Sequence, residues 1–321
     1  MSIVHTGSQR LLFRVIFYIV VIVIIYLVRG GLDWRQLLRR MPGYAATDTT
    51  LVITGGDLAP QLVQQLAAHY RRDYPQVNIQ VQGGGSSHAL EALINERADV
   101  AILNRRPTPE EQELFRSTHG DTLPWYPIAL GGIVLLQSEQ AGITALTLDD
   151  LRGFVATGQD PRLERLYVAD PNLGLWDAFQ AALADSPSVV QVFSEKPTHV
   201  VFLPDDPSVL AAVQADVRAL GLISSLTAPD DLVAAGVRRV PLQVAAARPP
   251  VSGSDAEVAG GAYPLYHQIL VACLASGSLQ GGKFVTHATS DRGQRQIARA
   301  GFVPSRLVLR QIYLTRHPVD R

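Results

Sequence analysis

Residues 82 to 93, QGGGSSHALEAL, set three glycines and two hydroxyls directly ahead of apolar residues at helical spacing. Backbone amides at a helix start point toward an oxyanion, and glycines let such a ligand reach the main chain. The chemistry on offer is therefore the cradling of an anion or carboxylate by amides and by the Ser86 and Ser87 hydroxyls. A glycine turn with a serine cap is the competing use. His88 follows the serines, but adjacent side chains at a helix start point apart, so a nucleophilic Ser–His pair does not form this way. The chain holds no G-x-S-x-G, no H-E-x-x-H and no Walker loop, and its eight histidines are scattered without ligand spacing. We expect no enzyme, no metal site and no cofactor.

The elements that must position this loop read as α/β. TLVITGG is a strand running into a glycine turn, and DLAPQLVQQLAAHYRRDYP carries Leu58, Leu62, Leu66 and Tyr70 at helical spacing, with Asp57 as its cap. VNIQVQ alternates like a strand, and ADVAIL is short and continuously apolar, as in a buried parallel sheet. Ser86 or Ser87 is placed to cap the intervening helix. Thr108 and Glu111 form a capping box, WYPIALGGIVLLQ is a long strand with a Gly131-Gly132 break, and Thr147 caps the helix that follows. An Asp206 cap, Pro207 and Gly221 bracket a further helix. Strand YHQILVACLA, helices GGKFVTHAT and DRGQRQIARAG, and a final strand around SRLVLRQI complete the chain.

Composition narrows the classes of partner. Twenty-eight basic side chains against 29 acidic ones give a net charge of −1, which offers nothing to nucleic acid. The single cysteine, Cys273, lies in an apolar run and excludes an internal disulfide. From Val15 to Val28 the chain carries no charge, and adding Leu11 to Phe13 extends the run across Arg14 to roughly the length that spans a ~30 Å hydrocarbon core. An uncleaved membrane anchor is the reading preferred over a secretory signal peptide, because small residues suited to cleavage come only at Gly43 to Ala46. Arg29, Arg35, Arg39 and Arg40 after the span outnumber Arg10 and Arg14 before it, which favours a cytoplasmic C-terminal side.

Several segments in register resemble the substrate-binding proteins of phosphate ABC transporters: the opening strand, loop and helix, GGGSSHALEALINERADVAILNRRPTPEE, IALGGIVLLQ with LTLDDLRGFVATG, and YPLYHQILVACL with SDRGQRQIARAGFVPS. The likeness covers about residues 50 to 306. It implies a two-lobed type II periplasmic-binding-protein-like α/β fold, preceded by the membrane anchor and linker read above at 1–49. Lobe 1 then comprises 50–130 and its return with the tail at 262–321, and lobe 2 comprises 131–261. It also implies an extracytoplasmic location, against the arginine count, and an ABC permease as partner.

In that family phosphate is held by loop amides and hydroxyls from both lobes with an arginine. The resemblance carries these roles to Gly56, Asp57 and Leu58, to Gly85, Ser86 and Ser87, to Asn104 with Arg105 or Arg106, and to Asp170 and Gly174. Two departures matter. Asp57 puts a carboxylate into an anion site, and the fourth loop, ADPNLGLWDAF, has Ala169, Leu173 and Leu175 where the family has donors. The expected function is a membrane-anchored solute-binding protein for a small anion or polar solute, with lowered phosphate affinity. The alternative is a membrane-tethered sensor or interaction module that keeps the fold without transport.

Overall fold

Alternating and continuously apolar runs bounded by glycines and polar turns build the sheet that carries the loops. In the computed structural model, residues 50–183, 197–229, 231–274 and 279–306 are described. The expected membrane span and the strand expected beyond Arg306 lie outside them. Among the described residues, no helix is long and apolar enough to cross a membrane.

Strands β1 (Thr50–Gly55), β2 (Asn78–Gln82) and β3 (Val100–Leu103) run parallel, with β1 in the centre. Helices α1 (Pro60–Asp73) and α2 (Gly85–Ile94) make the crossovers. After α3 (Pro109–His119), the chain enters β4 (Trp125–Ser138), a single strand of 14 residues. The first half of β4 pairs with β11 (Tyr266–Cys273) and β12 (Val303–Pro304), antiparallel to both. From Ile133 onward it pairs instead with β8 (Ala219–Ser224) and β9 (Val237–Arg239). Beyond β8 come β6 (Arg165–Ala169) and β7 (Val200–Leu203), again parallel, so the order is β2-β1-β3-β11-β4-β8-β6-β7. Two half-sheets thus share β4, and β11 runs back to the first of them. The exchange of partners falls between Gly132 and Ile133, directly after the Gly131-Gly132 pair. A Cβ on Gly131 would meet His267 Nε2 at 2.5 Å, and one on Gly132 the Gly253 carbonyl oxygen at 2.9 Å. No larger residue fits there without displacing β11 or its flanking loop.

The expected capping boxes form. The Thr108 side chain accepts from the Glu111 amide and Glu111 accepts from the Thr108 amide, and Thr147 pairs with Asp150 in the same way. Three expected caps differ. Helix α1 starts at Pro60 after Ala59, so Asp57 does not cap it. Helix α2 starts at Gly85 after Gly84, which leaves Ser86 and Ser87 inside its first turn. Helix α6 (Asp206–Ala215) is capped by Asp205, and Gly221 lies within β8, because the chain turns early to enter the sheet. Helices α4 (Leu148–Thr157), α5 (Leu175–Leu183), α7 (Asp255–Ala259), α8 (Leu279–Thr289) and α9 (Asp291–Arg299), with the short parallel pair β5 (Leu146–Thr147) and β10 (Leu242–Gln243), complete the order.

At the partner exchange, His267 is 1% exposed and its Nε2 lies 2.8 Å from Ser224 Oγ. Burial pulls the imidazole from 6.5 down to about 4. The fold therefore holds the neutral ring, while the unfolded chain takes up a proton as pH falls below its ordinary value. The stabilisation is complete above about pH 6.5 and is lost as pH falls toward 4, by roughly 3 kcal/mol for a shift of this size. Asp206 and Asp177, whose carboxyls burial pushes up, act in the opposite direction. The urea midpoint of the wild-type chain is thus expected to fall more steeply between about pH 7 and 4.5 than that of His267→Gln. Parallel pH profiles for the two would show that the ring is not held neutral.

Candidate functional site

The first loop leaves β1 through Gly55 and Gly56, at φ +96 and +83. A Cβ on Gly55 would stand 2.2 Å from the Ile102 carbonyl oxygen, so this close turn requires glycine. The turn points Asp57 across the loop while the Leu58 side chain goes into the core, 1% exposed. Leu58, expected at the ligand, is therefore available to a ligand through its main chain alone.

Asp57 occupies the loop amides that the resemblance assigns to a ligand. Its Oδ1 accepts from the Gly84 amide at 3.1 Å, and its Oδ2 accepts from the Gly84 amide at 3.1 Å and the Gly85 amide at 2.6 Å. A half-buried carboxylate thus sits on the amides that open α2, which are the donors an incoming oxyanion needs. Gly84 and Gly85 reach this geometry at φ +135 and +70.

The second and third loops are tied together. Ser86, fully buried, accepts from the Asn104 amide through its Oγ at 2.9 Å, and Ser87 Oγ accepts from Arg105 Nη2 at 2.9 Å. Arg105 also donates to both carboxylate oxygens of Glu111 at 2.7 Å, and its Nε lies 3.3 Å from Asp177 Oδ2. The Glu111 hydrogen bonds keep the guanidinium firmly protonated against the opposing effect of burial. Burial pushes Glu111 up, yet its bonds to Arg105 and to the Thr108 amide leave it below the ordinary carboxylate range. Burial leaves Asp177 above that range, since Arg105 offsets it only in part. Arg106 turns away and stacks 5.4 Å from the Trp125 ring, so of the two arginines Arg105 is the one at the site. The Asn104 side chain is fully buried, and neither of its amide atoms has a hydrogen-bond partner.

The fourth loop comes from the other half-sheet. Asp170 Oδ1 accepts from the Asn172 amide at 2.8 Å and caps the short turn Pro171–Leu173, and Gly174 follows at φ +82. A Cβ on Gly174 would stand 3.3 Å from the Arg105 side chain, and one on Gly85 would stand 2.7 Å from the Asn172 carbonyl oxygen. The four loops are therefore brought together, with the fourth seated directly on the second and third. Leu175 and Trp176 face the core, where Trp176 packs on Phe179 and Phe202 at 5.9 and 5.7 Å. Sequence reasoning missed Asp177 entirely and saw Glu111 only as a cap. The signal for Asp177 was an acidic residue in the first turn of the helix that leaves the fourth loop.

The contact at Gly85 is open to test. In Gly85→Val the side chain meets both a positive φ, which costs about 1–2 kcal/mol, and the Asn172 carbonyl. We expect a larger radius of gyration in X-ray scattering with unchanged helix content. An unchanged radius would show that the loops yield without parting.

Taken together, the Arg105 guanidinium is paired with two carboxylates, Glu111 and Asp177, while the Asp57 carboxylate sits on the amides of the second loop and that of Asp170 caps the fourth. A dianion entering here meets several like charges, each repelling by up to about 4 kcal/mol at 4 Å and an effective dielectric of 20. What the arrangement offers is carboxylate oxygens, hydroxyls and the unsatisfied Asn104 amide, a donor and acceptor set for an uncharged or amine-bearing polar group.

Comparison with known proteins fits this architecture. Residues 42–292 match the family model of the PBP superfamily domain. Phosphate-binding protein PstS of Pseudomonas aeruginosa is 30% identical over 97 residues, which is 30% of this chain and 30% of that relative. The chain thus spans less than a third of that curated relative's length. Among solved structures, a candidate phosphate ABC transporter substrate-binding protein of Clostridium perfringens, with bound phosphate, aligns at TM-score 0.63 and 17% identity, covering 80% of this chain and 100% of that one. An ABC-type phosphate transport receptor of Vibrio cholerae aligns at 0.59 and 17%, covering 79% and 99%. At these identities the structural likeness concerns the fold. With the family match covering residues 42–292, most of its length, the chain belongs to the PBP superfamily.

Proposed function

We propose that this protein is an extracytoplasmic solute-binding receptor, tethered by the apolar N-terminal segment and serving an ABC permease. Its ligand is a small polar solute without net negative charge. The lobes are those expected from sequence, 50–130 with 262–321 against 131–261, and the exchange of β4 partners at Gly132 and Ile133 supports the boundary. Ligand enters between the lobes, and the second, third and fourth loops close over it by a hinge in the strands that connect them. One observation carries the reading of the ligand: the Asp57 carboxylate on the Gly84 and Gly85 amides. The fourth loop, with Ala169, Leu173 and Leu175 in place of donors, supports the same conclusion.

The deciding measurement is calorimetric titration of the full chain, preceded by a thermal-shift panel of oxyanions, amino acids and neutral polar solutes, since a ligand that binds the folded state alone raises the melting point. Phosphate is expected to give no saturable heat below about 1 mM. Submicromolar phosphate binding would overturn the reading.

A further inference from the structure

Where the chain passes into β1, α1 and α8 present a face that is both apolar and basic. Leu279 opens α8 and is 72% exposed, the most exposed large apolar side chain among the described residues. Lys283 and Thr286 follow at one- and two-turn spacing and so share its face of the helix. Beside them Tyr74, directly after α1, holds its ring 5.9 Å from Lys283 Nζ, and Leu274, directly after β11, joins these residues around a cavity of about 870 Å³. Arg71 and Arg72 lie in the last turn of α1. Asp73, the carboxylate that lines the cavity, already accepts from Arg292 Nη2 at 2.8 Å, so the lysine and the two α1 arginines leave this face positive.

Its place in the fold points to what covers it. Thr50, the first residue of β1, pairs with Asn78 at the start of β2, and Val52 exchanges hydrogen bonds with Asp99, just ahead of β3. A Cβ on Gly281 would stand 2.8 Å from the Asp99 carbonyl oxygen, so the first turn of α8 is packed at this same end of the strands. The ligand loops follow β1, β2 and β3 at the opposite end. About twenty residues join Thr50 to the uncharged run that ends at Val28, and a flexible chain of that length spans about 25 Å. A bilayer that holds the run therefore lies within reach of the face. Leucine, tyrosine and lysine suit such a boundary, because leucine enters the acyl region, an aromatic ring sits at headgroup level and lysine extends its charge to the phosphates.

We propose that the face formed by Leu279, Lys283 and Tyr74 docks on the surface of an anionic phospholipid bilayer and so fixes which end of the fold lies against the membrane. Leu279 inserts at the headgroup boundary, and Lys283, Arg71 and Arg72 pair with lipid phosphates. One leucine and three cations bind weakly by themselves, and the tether raises their effective concentration at the surface. The inference rests on the tether of the proposed function, and the experiment separates the two.

The full chain carrying Gly282→Cys, a position where a Cβ meets nothing within 4 Å, is reconstituted in lipid discs. The rate of its modification by an uncharged, water-soluble maleimide is read in discs of phosphatidylcholine with about one-third phosphatidylglycerol and in discs of phosphatidylcholine alone. The parent chain, whose single thiol Cys273 is buried, gives the background, and Val233→Cys, 60% exposed and beside residues that pack on the other half-sheet, gives a reference site. We expect modification at 282 to be at least about tenfold slower in the anionic discs, unchanged at 233, and fast again in 1 M salt, where the screening length falls to about 3 Å. Leu279→Ser, and Lys283→Glu with Arg71→Glu, all at exposed positions, should each restore fast modification, and melting curves near that of wild type confirm that these variants are folded. A chain retained in the discs that reacts equally fast in both lipids overturns the docking and leaves the tether standing. A chain that stays out of the discs overturns the tether and the docking with it. Protection that persists in the neutral discs and rises with protein concentration assigns the face to a second copy of the chain and overturns the lipid reading.

Discussion

Replacing Asp57 with serine is expected to raise the affinity of the chain for phosphate. The substitution removes a carboxylate whose oxygens lie 2.6 to 3.1 Å from the Gly84 and Gly85 amides, and it returns two helix-start donors to any ligand that enters. Relief of one like-charge repulsion is worth up to about 4 kcal/mol, and each recovered charge-assisted hydrogen bond about 1.5–3 kcal/mol. Because the fourth loop remains poor in donors, we expect a gain of about tenfold to a thousandfold rather than tight binding. The same change should destabilise the unliganded protein by about 1.5–3 kcal/mol, since the amides lose their internal acceptor. That corresponds to a melting point lower by about 3–9 °C for a unit of this size, partly restored by phosphate. Calorimetry and thermal melts with and without phosphate measure both effects. An Asp57→Ser chain that melts lower and still ignores phosphate would show that the amides are not the missing donors.

Arg105→Ala carries the second large expected effect. The guanidinium is 10% exposed and satisfies Glu111, Ser87 and Asp177 at once. Without it, Glu111, whose side chain is 21% exposed, keeps its bond to the Thr108 amide but faces no cation, and breaking a buried pair by removing one partner costs about 3–5 kcal/mol. Asp177, nearly half exposed, adds little because water screens it. The expected loss in chemical denaturation is therefore about 3 kcal/mol. Arg105→Ala in a Glu111→Gln background should cost much less, because no carboxylate is stranded. Equal losses in both backgrounds would show that Arg105 acts through packing. Since Asp177 belongs to the fourth loop and Arg105 to the third, the single variant should also loosen the seating of one on the other, visible as faster amide exchange at Asn172 and Gly174.

Local features of this chain were legible residue by residue. Thr108 with Glu111 and Thr147 ahead of α4 announce helix starts, because a short hydroxyl and an acid three residues on answer amides already within reach. The 14-residue β4 was legible from its apolar run, and the Gly131-Gly132 pair marks where it changes neighbours. Three caps were misplaced by one or more residues for a related reason. Asp57, Ser86 and Asp206 are all competent caps, and their sequence positions do not reveal that a better use lies elsewhere. Ser86 gives its lone pair to the Asn104 amide, and the Asp206 carboxylate takes the Thr227 hydroxyl.

The amino-acid sequence by itself determined the α/β class, the succession of strands and helices, and the glycine-rich loop that faces the site, because each of these follows from periodicity and from local steric freedom. Tertiary structure alone decided which polar group each of those loops meets. Asp57 finds its partner 27 residues onward at Gly84, and Arg105 is held between Glu111 and an aspartate from the opposite half-sheet. A carboxylate binds whichever donors the strand order brings within about 3 Å of it. Strand order is fixed by burial of the whole sheet, a property that no short stretch of sequence contains.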